Sequence, residues 1–269
     1  MKKYLSLVKY EMKTLLKDPM SLFMLLYPFL MLFLMGFVLP AILERTADPD
    51  SAAVRITLLI SFVVTLAVNG YVGGALLGFS LLENRDENTL VNIAVSPIRV
   101  SGYTAFKLVY AFLFGIFSNL VLLGGMVWIA KDAYVVMMPG GVRIGLLDGL
   151  TFGNILVFSL VSSLFAPTVA LILGMVAKNK IEGFALMKSG GLVVMIPLLA
   201  LLDAFADWKQ YLLGIAPNFW PIKALLNLTL GTSNPADLPF WGYMTIGAGV
   251  QVLICALFFK LFLKKSELK

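Results

Sequence analysis

Residues 56–90 read ITLLISFVVTLAVNGYVGGALLGFSLLENRDENTL, 27 uncharged residues from Ile56 to Leu82 followed at once by Glu83, Arg85, Asp86 and Glu87. A helix of that length rises about 40 Å, more than the roughly 30 Å hydrocarbon core of a bilayer. The polar residues that follow must therefore lie at one membrane face. Four more uncharged runs flank this one: Met20–Leu43, Leu108–Ala130, Gly149–Ala177 and Leu238–Phe259. A sixth apolar stretch, Gly183–Leu202, is interrupted by Lys188. The whole chain of 269 residues is 60% hydrophobic and 13% charged, where a soluble domain carries about 25% charged residues. Its mean hydropathy is +0.93. Transmembrane strands would need alternating segments of roughly ten residues, and no such alternation is sustained. The expected fold is all-α and membrane-integral, a single domain over 1–269 with spans at 20–43, 56–82, 108–130, 151–177, 183–202 and 238–260.

Lysine and arginine set the orientation, because cytoplasmic loops collect them. With both ends inside, the inner face holds 15: Lys2, Lys3, Lys9, Lys13, Lys17, Arg85, Arg99, Lys107, Lys178, Lys180, Lys188, Lys260, Lys264, Lys265 and Lys269. The outer face holds six: Arg45, Arg55, Lys131, Arg143, Lys209 and Lys223. This places the polar segment after Leu82 in the cytoplasm and the protein in the cell membrane, multi-pass. Five spans would put one lysine-rich terminus outside, so six are expected. The charge of +6 then follows from topology rather than from a nucleic-acid partner.

Residues 1–18 pattern as an amphipathic helix on the membrane surface, with Leu5, Val8, Met12, Leu15 and Leu16 opposite Lys2, Lys9, Lys13 and Lys17. An ordinary basic flank of the first span is the alternative. Asp18-Pro19 suits a helix start, with Asp as cap and Pro at the first position. The first apolar run is too long for the core of a secretory signal. Gly70, Gly74 and Gly78 repeat every fourth residue, a pattern that serves close packing within the chain or at a subunit interface. Asn69 and Asn119 are polar groups inside spans two and three, suited to a hydrogen bond between helices. Residues 204–236 hold apolar pieces too short to span, broken by Asp207, Lys209, Pro217, Pro221 and Lys223; they read as re-entrant or interfacial helices. Trp208, Trp220, Trp241 and Tyr211 suit an interfacial aromatic belt.

The chemistry available is narrow. Without histidine there is no H-E-x-x-H zinc site and no Ser-His dyad, and no metal site is expected. The lone Cys255 has no intrachain disulfide partner and reads as a packing residue. No G-x-x-x-x-G-K-[ST] phosphate loop is present. Ion-driven transporters bury ionisable groups mid-membrane; here Lys188 is the one charge read strictly within a span, and no carboxylate pair accompanies it. An ion-coupled secondary transporter or channel is therefore the weaker alternative, and energy is expected from a docked partner.

Several short motifs, in order, resemble those of ABC-2 type permeases, the membrane half of type V ABC exporters. They are Lys17-Asp18-Pro19 with Pro28; Glu83…Glu87-Asn88-Thr89-Leu90…Ser96-Pro97…Lys107; Lys178–Gly183 through Lys188 to Pro197; and Pro217-Asn218-Phe219-Trp220-Pro221. Asn88 stands where glycine is common in that family, and asparagine tolerates the same left-handed geometry. The resemblance implies a coupling helix over 83–103, seated in a groove of a separate ATPase. Glu83, Arg85, Asp86, Glu87, Thr89, Leu90, Ser96, Pro97 and Arg99 would form its contact surface. A solvated loop joining two helices is the plainer reading. The resemblance further implies an exporter permease without catalytic residues and without a bound cofactor. ATP and Mg would sit on the partner ATPase, and a second permease chain and membrane lipid would complete the partners. Without a large outer domain, an amphiphilic or hydrophobic cargo is favoured.

Overall fold

The computed structural model describes residues 17, 19–46, 48, 50–86, 100–138, 141–231 and 234–267. Among them are six helices long and apolar enough to cross a membrane: Leu22–Thr46, Ala52–Glu83, Ser101–Ile129, Phe152–Val176, Lys180–Leu201 and Phe240–Lys265, here spans one to six. The amphipathic pattern at the N-terminus lies outside the described residues, apart from Lys17. Of the segment read as a coupling helix, Glu83–Asp86 continue the helix of span two, which runs Ala52–Asp86. Val100 onward belongs to the helix of span three, Val100–Asn119. Residues 87–99 between them lie outside the described residues.

Span four is the centre of the bundle, 72% buried over its most apolar window, against 11% for spans one and five. Its inward residues are small, Ala166, Ala170 and Gly174, and the glycine row of span two lies against them. A Cβ on Gly74 would come within 2.6 Å of Ala166 O and of Val169 Cβ; on Gly78 it would meet Leu173 Cβ at 2.7 Å. The Gly74 and Gly78 positions therefore face span four of the same chain. Backbones this close gain dispersion contacts along their whole length, the main attraction between helices where lipid is as apolar as the core. The outward faces stay apolar, with Phe23, Phe29, Phe33 and Phe37 exposed on span one.

Four of the six spans are irregular. Span one passes through a π-helical turn, Leu34–Val38, just before Pro40. The Leu39 N–H bonds Leu34 O, five residues back, and Pro40 has no N–H to offer, so Met35 O is left without a helical donor. The hydroxyl of buried Tyr134 supplies one at 2.9 Å. Burial pushes this phenol upward from its ordinary pKa, keeping it protonated as a donor. Span three has a second π turn, Leu120–Gly124. Span four is two helices, Phe152–Ser162 and Phe165–Val176. Span five changes from α-helix, Lys180–Val194, to a 3₁₀ helix, Ile196–Leu201, where Pro197 forbids a continued α ladder.

Residues 204–236 contain a 3₁₀ helix, Trp208–Ile215, and a 12-residue α-helix, Phe219–Leu230, about 18 Å long and too short to cross. That helix stops at Gly231, whose φ of +80° suits glycine. The helical expectation holds, and one small extended element accompanies the helices. Val135–Met137 pairs antiparallel with Arg143–Gly145, in the register Val136 to Ile144, as a small hairpin between spans three and four. The β-branched pair Val135-Val136 favours extended backbone, and Gly141 at φ +80° fits the turn.

Candidate functional site

At the lysine-rich face, the end of span two is tied to its neighbours. Glu83 Oε1 accepts from Lys180 Nζ at 2.8 Å, joining span two to the first turn of span five. Higher up, Tyr71 donates to Met187 O at 2.8 Å. Asn179 caps the span-five helix by accepting from Glu182 N at 2.9 Å, while Glu182 Oε2 accepts from Lys178 N. Lys265 of span six donates to Met175 O at 2.7 Å, satisfying a carbonyl in the last turn of span four.

Lys107 is placed differently from the sequence reading, which put it at the membrane face, one residue before span three. It lies two turns inside the span-three helix and only 1% exposed. Its ammonium donates to Ser80 Oγ of span two at 2.6 Å and lies 5.2 Å from the Tyr103 ring. Lys188 is thus not the only charge within a helical span. Among the sequence-read contact residues, Glu83 alone has a described side chain. Arg85 and Asp86 are placed only as backbone of the last helical turn. Glu87, Thr89, Leu90, Ser96, Pro97 and Arg99 lie outside the described residues.

Midway through the bundle, Asn69 Nδ2 donates to Asn119 Oδ1 at 2.8 Å, Ser118 Oγ donates to Asn69 Oδ1 at 2.7 Å, and Asn119 Nδ2 reaches Ser163 Oγ at 3.2 Å. Ser163 donates in turn to Ser159 O. All four side chains are buried, and they link spans two, three and four at the level where span four breaks and the π turn of span three begins. Polar groups deep in a membrane protein must find such partners, because lipid offers none.

At the opposite face, Asp237 joins three elements: the 3₁₀ helix, the short helix and span six. Its Oδ1 accepts from Gln210 Nε2 at 3.0 Å, Tyr243 Oη at 3.2 Å and Lys223 Nζ at 3.3 Å. The Lys223 and Asp237 side chains are only 11% and 6% exposed. Tyr211, Trp220 and Tyr243 surround this cluster with ring centroids 6.2–6.4 Å apart. Trp220 Nε1 donates to Gly214 O at 3.1 Å, and Tyr211 donates to Ala236 O. Beside the hairpin, a cleft of about 520 Å³ is lined by Glu44, Asp132 and the Asp50–Arg143 ion pair. Among the described residues, no three His, Cys, Asp or Glu converge as metal ligands. The polar clusters described above join helices to one another.

Ser80, Lys180 and the Lys223–Asp237 pair were not singled out from sequence as partners. The available signal was only that each is a polar residue at a span end or within a largely apolar segment.

Comparison with known proteins agrees with this architecture. A model of the family described as "Fluoroquinolones export permease protein Rv2686c-like" matches residues 11–259. Two Mycobacterium tuberculosis proteins, the fluoroquinolones export permease proteins Rv2686c (strain H37Rv) and MT2760 (strain CDC 1551), are each 22% identical over 254 residues. That alignment covers 93% of this chain and 89% of theirs. With six spans and a family match over nearly its whole length, the chain belongs to the Rv2686c-like family of export permeases, which are of the ABC-2 type.

Proposed function

We propose that this chain is the membrane half of an ATP-driven exporter, working in the cell membrane with both termini in the cytoplasm. A separate ATPase docks on the polar segment 83–103, two permease chains form the path, and ATP hydrolysis on the partner drives an amphiphilic compound outward. The relatives are named for fluoroquinolones, and a planar amphiphile of that kind is the cargo class we adopt. The carrying observation is how the two roots of the segment are tied. Glu83 is paired to Lys180 of span five, and Lys107 of span three to Ser80 of span two. A displacement of the segment is thereby delivered to spans two, three and five together. The acidic residues Asp86 and Glu87 offer charge to a basic groove, and Leu90, Val91 and Ile93 offer apolar knobs.

The test is copurification and ATP hydrolysis of the complex carrying Glu87→Ala with Leu90→Ala. Loss of binding, or of permease-stimulated hydrolysis, is expected. An ATPase that still binds and is still stimulated refutes the coupling assignment.

A further inference from the structure

Span five carries a charge on its outward side. Its helix leans on span two through Gly183 against Phe79, the Tyr71–Met187 hydrogen bond and the Glu83–Lys180 pair. These contacts fix its inner side. The other side presents Ile181, Lys188 and Leu192, all exposed, while Phe184 on the flank still packs on Phe79 with ring centroids 4.8 Å apart. Lys188 lies eight residues beyond Lys180, about 12 Å along the helix and well inside the span. Among the described residues it has no hydrogen-bond or ion-pair partner. An unpaired ammonium facing hydrocarbon is strongly disfavoured, so charged residues within spans face water-filled cavities or partners.

A second copy of this chain would bring no counter-charge to that depth. The six apolar stretches hold no Asp or Glu between their ends, so a facing span five would oppose lysine with lysine. A cargo that carries an anion would supply the missing counter-charge. We propose that Lys188 lines the transport path and recognises a carboxylate on the cargo, making the preferred substrates acid-bearing amphiphiles. This rests on the export reading above and narrows it. The neighbouring Ile181 and Leu192 provide the apolar surface for the rest of such a molecule.

The test uses the full chain in nanodiscs of zwitterionic phosphatidylcholine, titrated with a fluoroquinolone free acid and with its methyl ester. The wild-type chain is expected to bind the acid at least tenfold more tightly than the ester. Lys188→Gln should bring the acid down to the ester's affinity, while Lys188→Arg keeps most of the preference. An acid-to-ester ratio unchanged by Lys188→Gln overturns the inference and leaves Lys188 as a snorkelling anchor. Export by the ATPase complex in vesicles separates the two readings. If acid and ester are exported alike, this inference falls and the export function stands; if neither is bound or exported, both fall.

Discussion

Gly74→Ala tests how closely spans two and four approach. The added Cβ would lie 2.6 Å from Ala166 O and 2.6 Å from Val169 Cβ, 0.8 Å short of the 3.4 Å where ordinary contact begins. Neither neighbour can yield alone, because one is backbone and the other is the root of a β-branched side chain. The helices must separate locally, and overpacking of this kind costs about 1–3 kcal/mol. Alanine's helix propensity returns up to about 1 kcal/mol relative to glycine. A net destabilisation of about 1–2 kcal/mol is expected. Gly70 supplies the control, since a Cβ there would meet Phe165 and Ser162 O at 3.6 and 3.7 Å. Gly70→Ala should therefore be neutral or slightly stabilising. Reversible unfolding in mixed micelles, followed by circular dichroism, measures both variants, and light scattering reports their oligomeric state. Equal losses at the two positions would refute the packing argument. So would a Gly74→Ala variant with unchanged unfolding and an altered oligomeric state.

Tyr134→Phe should cost about 1–3 kcal/mol in the same assay, because it removes the one hydroxyl bonded to Met35 O while preserving the ring. A loss below about half a kcal/mol would mean that carbonyl finds another donor. Asp237→Asn leaves the Lys223 ammonium buried without a counter-charge, at about 3–5 kcal/mol. The double variant with Lys223→Met should recover most of that, and a strictly additive double variant would show the pair is not coupled. Glu83→Gln should lower stability by at most about 1 kcal/mol, the pair being partly exposed. If the pair transmits motion, the same variant lowers cargo-stimulated ATP hydrolysis, and exchanging the charges as Glu83→Lys with Lys180→Glu restores it.

Uncharged runs made five spans readable, because the bilayer imposes a length that few soluble segments reach, and the lysine asymmetry required the sixth. Where the start of span three moved, a charge was being satisfied inside the protein. Lys107 reads as a membrane-face residue until Ser80, 27 residues earlier in sequence, is seen to accept from it. The same blindness to distant partners hid Lys223 and Asp237, which look like ordinary charges in a polar connection. Asn69 and Asn119 were legible as hydrogen-bonding residues, because carboxamides within apolar helices require partners. Ser163 was not, since serine bonds its own helix often enough to be unremarkable. The glycine spacing indicated close approach but not to which helix. Pro40 sits in plain view, yet the π turn before it depends on Tyr134 supplying a donor from 99 residues away.

The distribution of these ties separates a firm part of the molecule from a looser one. Spans two, three and four share the glycine contact, the asparagine network and the Lys107–Ser80 bond, so they resist sliding past one another. Span five meets this unit along one side, through Glu83–Lys180, Tyr71–Met187 and the packing of Gly183 on Phe79. Beyond Val194 its α ladder gives way to the 3₁₀ turns, with Asn218 Nδ2 donating to Val194 O at 2.9 Å from the start of the short helix Phe219–Leu230. That helix is held at its other contacts by Lys223 on Asp237. Any shift at the lysine-rich end of span five therefore meets, at buried Val194, a change from α-helix to 3₁₀ helix before it reaches the opposite face.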